Sequence, residues 1–324
     1  MALDEIHRPA PATSPVLTLR SARWEVDVLP GTGAALAAGR IRTADGVWRD
    51  LLRPTPRSRR GDPERTASFP MLPWSNRIDA GVLPFAGRTW QLQRNGADGT
   101  AIHGALRQAP WTVVERDQGG VLLEAAAADM VGVNFPWLFA ARVGYALTGD
   151  ALEVTTTLRN EDRVPFPAGF GHHPYFRRSL VPVGCAMPDE PGQPLLRIGA
   201  DAGYVLHGGL AVDAAGAIPP RADFRVERRV SVLHVDDVLT DRTPGPLATL
   251  RYADPDVTVT LEADDVYSHV VLYAPRGRGH LAVEPTTHVN GGFALYAAGV
   301  PGTGVVVLEP GEEMTASFRV TVAG

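Results

Sequence analysis

The chain has one cysteine, no excess of basic residues and no long apolar run. The single cysteine, Cys185, excludes an intramolecular disulfide and a zinc site built from several cysteines. The formal net charge is −5, so charge gives no reason to expect a nucleic-acid partner. No apolar segment is long enough to cross a membrane, and the first residues, MALDEIHRPAPATSP, lack the pattern of a signal peptide. The sequence therefore predicts a cytoplasmic protein that binds neither nucleic acid nor a membrane.

Turn residues and short strand-forming segments dominate what is present. The 324 residues include 34 glycines and 28 prolines, which favour tight turns over long helices. The segment ALEVTTTLRN (151–160) alternates between two side-chain faces, as a half-buried strand does. Helical periodicity is weak throughout, so we predict an all-β sandwich or barrel. Four further segments have the composition of strands, namely DVTVTLEAD (256–264), HVVLYAP (269–275), VVVLEP (305–310) and ASFRVTVAG (316–324).

No internal repeat and no low-complexity linker divides the chain. We therefore expect a flexible N-terminal segment, residues 1–18, followed by a single domain, residues 19–324. Two glycine patterns, GTGAALAAG (31–39) and PGTGVV (301–306), lack the spacing and context of nucleotide-binding loops and are interpreted as turns. We expect no cofactor.

Five short stretches concentrate polar residues in apolar or turn-rich surroundings. Taken singly, each residue also has a structural explanation: a core histidine, a helix cap, a solvated turn or an exposed glutamate at a strand end. Together they supply His, Arg, Asp and Glu without a nucleophile motif, which indicates acid–base rather than covalent chemistry. The stretches are PWSNRID (73–79), AIHGAL (101–106), GFGHHPYF (169–176), HVDDVL (234–239) and AVEPTTHVN (282–290).

Glu284 and His103 are candidate site residues. Pro285 follows Glu284 and is expected to end the strand, which would aim the carboxylate into a cleft. Gly104 follows His103 and permits a close approach of another group. An alternative is a mononuclear metal site built from His103, Glu284 and one histidine of the 172–173 pair.

The adjacent histidines of GFGHHPYF are expected to do different jobs. Successive side chains of an extended chain point in opposite directions. His173 therefore shares one side with Tyr175, and His172 shares the other side with Phe170. Pro174 suggests that the strand ends at a cleft.

Taken in order, these stretches resemble the aldose 1-epimerases, the galactose mutarotase family. The resemblance begins with NRI (76–78), FAGRTWQL (85–92) and HG (103–104), and continues through FPWLFAARVGYALTGDALEVTTTLRN (135–160). It goes on to HPYF (173–176), DDVL (236–239), EPTT (284–287) and LEPGE (308–312). The resemblance covers nearly the whole chain.

The resemblance implies a large antiparallel β-sandwich whose concave face binds a free monosaccharide. It also implies that Glu284 is the catalytic base, that His173 is the acid and that His103 supports the acid step. A base that deprotonates the C1 hydroxyl and an acid that protonates the ring oxygen would open the sugar ring. The implied sugar-binding residues are Asn76, Arg77 and Asp236, and the candidate aromatic walls of the cleft are Trp74, Tyr175 and Phe176.

The sequence leaves the substrate open. The chain has PWSNRI where well-known members have G-R-[YV]-[AG]-N-R-I, and Arg177-Arg178 where they usually carry Asn, which indicates a bacterial side branch. Asp237 competes with Asp236 for the sugar contact. The expected assembly is a monomer or a homodimer.

Three other functions compete with the epimerase. One is a hexose-6-phosphate 1-epimerase of the same fold, in which the arginines at positions 53, 57, 59, 60 and 65 would clamp a phosphate. The second is a sugar-binding protein without catalysis, although such a protein needs no acid–base pair. The third is a polysaccharide lyase or hydrolase, which would need a further catalytic carboxylate or a tyrosine–arginine set.

Overall fold

The fold consists almost entirely of β-strands. In this computed structural model, residues 15–190, 192–230 and 234–324 are described. These residues form 28 strands, one α-helix, α1 (Gly292–Ala297), and five short 3-10 turns at Arg57–Arg59, Pro63–Arg65, Asp79–Gly81, Ala127–Asp129 and Pro220–Ala222. The strands are β1 (Leu17–Arg20), β2 (Trp24–Leu29), β3 (Ala35–Arg42), β4 (Trp48–Asp50), β5 (Pro70–Met71), β6 (Arg77–Ile78), β7 (Val82–Phe85), β8 (Arg88–Gln91), β9 (Ala101–Ile102), β10 (Thr112–Arg116), β11 (Gly120–Ala126), β12 (Phe139–Thr148), β13 (Ala151–Asn160), β14 (Phe166–Ala168), β15 (Gly171–His172), β16 (Tyr175–Arg177), β17 (Leu195–Ile198), β18 (Ala200–Gly203), β19 (Leu206–His207), β20 (Leu210–Ala211), β21 (Arg228–Arg229), β22 (Val235–Arg242), β23 (Ala248–Ala253), β24 (Asp256–Ala263), β25 (His269–Ala274), β26 (His280–Thr286), β27 (Val306–Leu308) and β28 (Glu313–Ala323).

Two large antiparallel sheets of these strands pack against each other. The first sheet has the order β10-β11-β12-β13-β28-β24-β23-β17-β21. The second has the order β18-β22-β25-β26-β15-β5, with β16 also paired to β26. A smaller sheet has the order β1-β2-β3-β4. One apolar cluster contains buried residues from all three, among them Val26, Leu272 and Phe318. The predicted all-β antiparallel sandwich is confirmed.

Strand β13 shows why this sequence forms strands. Leu152, Val154 and Leu158 are buried, whereas Arg159 on the opposite face is exposed. A shift of one residue in register would move this apolar set to the solvent face, so burial fixes the pairing. All five predicted strands are present, as β13, β24, β25, β27 and β28.

Two elements of the regular structure, β1 and α1, were not anticipated from the sequence. Most of the segment predicted to be flexible lies outside the described residues, but Leu17 and Thr18 already belong to β1. Helix α1 was not predicted, because six residues are too few to show a helical period. No helix in the described part of the chain is long and apolar enough to span a membrane.

The two faces of the second sheet have different surroundings. Leu272 of β25 belongs to the main apolar cluster between the sheets. The register pairs Tyr273 with Asp236 on one side and with Ala282 on the other. Directly opposite side chains share a face, and so do residues two positions apart in a strand. Asp236, Tyr273 and Glu284 therefore lie together on the face turned away from the main cluster.

Candidate active site

A histidine and a glutamate meet across two strands of the second sheet. Tyr175 of β16 lies opposite Ala282 of β26, so His173, two residues earlier, lies opposite Glu284. The His173 Nε2 and Glu284 Oε1 atoms are 3.1 Å apart. Both side chains are buried. An imidazole and a carboxyl group in this contact are able to exchange a proton.

Strand β26 does not end at Pro285. The proline is paired with Val270 of β25 and the strand continues beyond it, so the expectation that it ends the strand is wrong. Thr287 donates its backbone N–H to the carbonyl of Phe170, which lies on the β15 side of the sheet. The nitrogen of Pro285 faces this same side, where β15 ends at His172. The missing N–H therefore falls at an interruption of the hydrogen-bond ladder.

The two adjacent histidines lie on opposite sides of the second sheet. His173 lines a cleft on the outer face. His172 is fully buried, and its Nε2 lies 2.7 Å from Thr156 Oγ1 of the first sheet. Its ring also contacts Phe318, with the centroids 5.0 Å apart. Burial lowers the pKa of His172 to about 3, so it is a neutral residue that joins the two sheets.

The cleft has a volume of about 310 Å³ and brings seven predicted site residues together. They come from loops and strands that are far apart in the sequence. The seven residues are Asn76, Arg77, His103, His173, Tyr175, Asp236 and Glu284.

Two predicted aromatic walls lie in the core instead. Trp74 is fully buried and stacks on Phe135, with the ring centroids 6.0 Å apart. Phe176 is also fully buried, in the main apolar cluster. Phe176 follows Tyr175 in β16, and strand alternation turns it away from the cleft. Trp74 lies in an irregular segment between β5 and β6, where no alternation indicates its direction.

Sequence reasoning missed three polar side chains of the cleft: Glu64, Asp98 and Tyr273. Tyr273 lies opposite Asp236 and near His173, with their ring centroids 6.3 Å apart. The alternation of HVVLYAP gives Tyr273 one of two faces, and only the pairing with β22 and β26 identifies that face as the cleft. Glu64 lies in the 3-10 turn Pro63–Arg65 and Asp98 lies on a loop, where no local pattern marks them.

The Arg77 guanidinium is fixed from several directions. Its Nε donates to Asp98 Oδ2 at 2.9 Å, and its Nη1 donates to Asn76 Oδ1 at 3.0 Å. Its Nη2 lies 4.0 Å from Asp236 Oδ2. The side chain of Asn76 therefore orients an arginine at the cleft.

His103 is held beside the His173–Glu284 pair by an unusual backbone. Asn76 and His103 both have positive φ angles, 52° and 64°, and the His103 N–H donates to the Asn76 carbonyl at 2.9 Å. Such backbone conformations concentrate at functional sites. A Cβ at Gly104 would lie 2.1 Å from the Leu72 carbonyl oxygen, so this position requires glycine. The His103 ring lies 5.5 Å from the His173 ring, centroid to centroid.

The two adjacent aspartates of β22 have different environments. Asp236 lines the cleft. Asp237 is fully buried and accepts two hydrogen bonds from Arg221, at 2.8 and 2.6 Å. Burial raises the pKa of Asp236, although Arg77 opposes this shift. Of the two, Asp236 is the residue placed to contact a ligand.

Burial governs the protonation of the Glu284–His173 pair. It raises the pKa of Glu284 well above its ordinary value, and Asp236 adds to the increase. Burial lowers the pKa of His173 well below its ordinary value, and His103 and Arg53 add to the decrease. Both shifts disfavour charge. They favour a neutral carboxylic acid beside a neutral imidazole, so the pair shares one proton.

The residues considered for a metal site do not form one. Among the residues that the structure describes, no group of three His, Cys, Asp or Glu side chains is placed to hold a metal ion. His172 is separated from the cleft by the sheet itself, and His173 is in contact with Glu284. The arrangement suits proton transfer.

Sequence comparison identifies the family. The model of the family "Aldose 1-epimerase" matches residues 15–190, more than half of the chain. The chain belongs to the aldose 1-epimerase family. A curated relative, the uncharacterized protein YihR of Escherichia coli K12, is 26% identical over 257 residues, which are 77% of this chain and 77% of the relative.

Solved structures similar to this aldose 1-epimerase family member share its fold. A galactose mutarotase-like protein from Clostridium acetobutylicum superimposes with a TM-score of 0.80 at 19% identity, covering 95% of each chain. The GalM/aldose epimerase homologue from C. elegans gives a TM-score of 0.79 at 19% identity, covering 96% of this chain and 99% of the homologue. At these identities the likeness concerns the fold.

Proposed function

We propose that this protein is an aldose 1-epimerase that interconverts the α and β anomers of a free aldohexose. The observation that carries the proposal is the 3.1 Å contact between His173 Nε2 and Glu284 Oε1 in the cleft. The hydroxyl oxygen on C1 and the ring oxygen are both bonded to C1. An acid and a base that act on these two oxygens must therefore lie close together, as His173 and Glu284 do.

Ring opening needs one proton removed and one supplied. Glu284, as the carboxylate, takes the proton of the C1 hydroxyl, while protonated His173 gives its proton to the ring oxygen. The bond between C1 and the ring oxygen breaks as C1 becomes an aldehyde carbon. The charged form of the pair arises from the neutral form when the proton moves from Glu284 to His173 along their contact.

Ring closure reverses the two roles. After rotation about the C1–C2 bond, the former ring oxygen attacks C1 from the other face and returns its proton to His173. Glu284 returns its proton to the oxygen on C1. The protein ends in the state in which it began, and the sugar has changed only its anomeric configuration.

Other cleft residues would bind and orient the sugar. Arg77 and Asp236 present a donor and an acceptor to hydroxyl groups, and Asn76 holds the arginine in place. Tyr273 presents ring surface to the sugar, and Tyr175 lines the cleft beside His173. His103 lies near His173 and would support its proton exchange.

The charges of the cleft favour a free sugar over a sugar phosphate. Of the described residues that line it, Glu64, Asp98, Asp236 and Glu284 carry carboxyl groups, and Arg77 carries a guanidinium. The Arg77 side chain is already paired with Asp98. A phosphate group in this cleft would meet repulsion from the carboxylates. The arginines considered for a phosphate clamp do not line it.

Polarimetry of freshly dissolved α-glucose or α-galactose tests the proposal. The wild-type protein should accelerate the approach to equilibrium, and Glu284→Gln should reduce kcat by about 10²–10⁴-fold because it removes the base. Glu262→Gln, an exposed glutamate of β24, is the matched control and should keep the wild-type rate. Equal rates for wild type and Glu284→Gln would reject the assigned mechanism.

The same assay separates the alternative functions. Acceleration with glucose 6-phosphate but not with glucose would favour a hexose-phosphate epimerase. Sugar binding in calorimetry without any acceleration would favour a non-catalytic binding protein.

A further inference from the structure

Arg53 lies behind the catalytic histidine, outside the residues that line the cleft. The rings of His173 and Tyr175 stack with their centroids 4.2 Å apart and their planes inclined by 28°. The Arg53 guanidinium lies over the Tyr175 ring, with Cζ 3.6 Å from its centroid. Tyr175 therefore contacts both the histidine and the arginine. A guanidinium at this distance from a tyrosine ring is held by a cation–π interaction.

Hydrogen bonds fix the orientation of Arg53. Its backbone N–H donates to the Tyr175 carbonyl at 2.8 Å. Its Nη2 donates to the carbonyls of Glu64 and Thr66, both at 2.7 Å. Its Nη1 lies 3.4 Å from His280 Nε2. Only a planar fork can stack on a ring and also donate in its own plane, so lysine would not replace these contacts.

Arg53 also ties a wall of the cleft to β16. Glu64, whose carbonyl it binds, lines the cleft. The Glu64 carboxylate accepts a hydrogen bond from Arg107 at 2.7 Å. The segment around Glu64 is thus held at two points, by Arg53 through its backbone and by Arg107 through its side chain.

We infer that Arg53 is a positioning residue for proton exchange at His173. The inference rests on the proposed function. Through Tyr175 the arginine fixes the plane of the imidazole against Glu284, and through the Glu64 and Thr66 carbonyls it fixes the adjacent wall of the cleft. The acceptors of its Nη2 are uncharged carbonyls, so its positive charge is not cancelled by these contacts.

The charge of Arg53 has a chemical consequence. A cation near His173 makes the protonated imidazole a stronger acid, which suits the donation of a proton to the ring oxygen. The other titratable groups that face His173 belong to several elements. They are Glu284, His103, His280, Tyr175 and Tyr273.

Two substitutions separate the charge of Arg53 from its shape. Arg53→Met removes both, whereas Arg53→Lys keeps the charge and loses the fork. Both should lower kcat between about 10- and 100-fold, since small misplacements of a catalytic group cost this much. The KM should change less than kcat, because Arg53 does not line the cleft and Arg107 still holds Glu64. Arg88→Met, at an exposed position of β8, is the matched control and should leave kcat unchanged.

Histidine titration by NMR tests the inference without turnover. Loss of the cation should raise the pKa of His173 in Arg53→Met, and the low-pH limb of kcat/KM should move to higher pH with it. In Arg53→Lys the pKa should stay near the wild-type value while kcat falls. A role limited to stability would lower the melting temperature and leave the titration unchanged.

Each outcome decides the inference. Wild-type kcat and an unchanged His173 titration in Arg53→Met would overturn it. If Arg53→Met does not fold, the fall in kcat of Arg53→Lys carries the test, and a wild-type kcat there overturns it. If the wild-type protein epimerises no sugar, the proposed function fails, and an unchanged titration in Arg53→Met then rejects the Arg53 contact as well.

Discussion

His172 and His173 show how neighbouring residues of one type acquire different properties. His173 contacts Glu284 at the cleft, whereas His172 contacts Thr156 in the interior. The extended backbone is sufficient to place the two side chains on different sides, because successive side chains of an extended chain point to opposite faces of the sheet. The sheet thus gives one histidine a proton partner and the other a place in the core.

Alanine substitutions should separate these two residues. His173→Ala should lower kcat by about 10²–10⁴-fold because it removes the acid. His172→Ala should lower the free energy of unfolding by about 2–4 kcal/mol because it leaves a cavity between the sheets. Urea unfolding and polarimetry measure the two effects. Loss of activity in His172→Ala at unchanged stability would contradict the assignment.

At the scale of single strands, alternation in the sequence predicts which side chains share a face. The pattern of ALEVTTTLRN predicted β13 and its buried face. Alternation also separated His173 from His172. It could not distinguish Asp236 from Asp237, because alternation divides a strand into two faces without saying which of them is the cleft. That information came from the pairing of β22 with β25.

The opposite faces of β22 lead to a matched pair of substitutions. Asp236→Asn should raise KM by about 10- to 100-fold because a charged hydrogen-bond partner of the sugar is lost. Asp237→Asn should leave KM unchanged and lower the free energy of unfolding by about 1–3 kcal/mol, since the buried partner of Arg221 is changed.

Steady-state polarimetry and urea unfolding of both variants check this pair. A raised KM in Asp237→Asn together with a wild-type KM in Asp236→Asn would exchange the roles of the two residues. Equal effects on both would mean that the strand's two faces do not separate binding from stability.

At the scale of the whole molecule, the site depends on contacts between distant segments. His103 and Glu284 are separated by most of the chain, and each reaches the cleft from a different element. Local sequence patterns carry no information about such pairings. Resemblance to the family supplied the residues, but it did not supply the contact of His173 with Glu284, the burial of Trp74 or the place of Tyr273 in the cleft.

Across the whole molecule, six of the described histidines have lowered pKa values. Burial is the main cause that lowers the pKa in each case. The pKa falls from the ordinary value of 6.5 to about 3 for His172 and to about 4 for His288. The histidines with lowered pKa values are His103, His172, His173, His269, His280 and His288.

These histidines should make the folded protein sensitive to acid. Below pH 6.5 the unfolded chain binds protons on histidines that stay neutral in the folded state, so stability falls as the pH falls. Each contributes up to about 1.4 kcal/mol per pH unit until its folded-state pKa is reached. The raised pKa values of Glu284, Asp236 and Asp50 act in the opposite direction, because these carboxyls favour folding at lower pH. Because six histidines lower the stability in acid and three carboxyl groups raise it, the net change is a loss of stability as the pH falls.

Urea unfolding at a series of pH values measures this balance. The free energy of unfolding should decrease steeply below pH 6.5, before most carboxylates are protonated. His172→Ala should make the plot of unfolding free energy against pH less steep. The change should correspond to about one bound proton, because the substitution removes one group that titrates only in the unfolded chain. His207→Ala, at an exposed position of β19, is the control and should keep the wild-type slope. A stability that stays constant or rises between neutral pH and about pH 5 would contradict the prediction that the histidines outweigh the carboxyl groups.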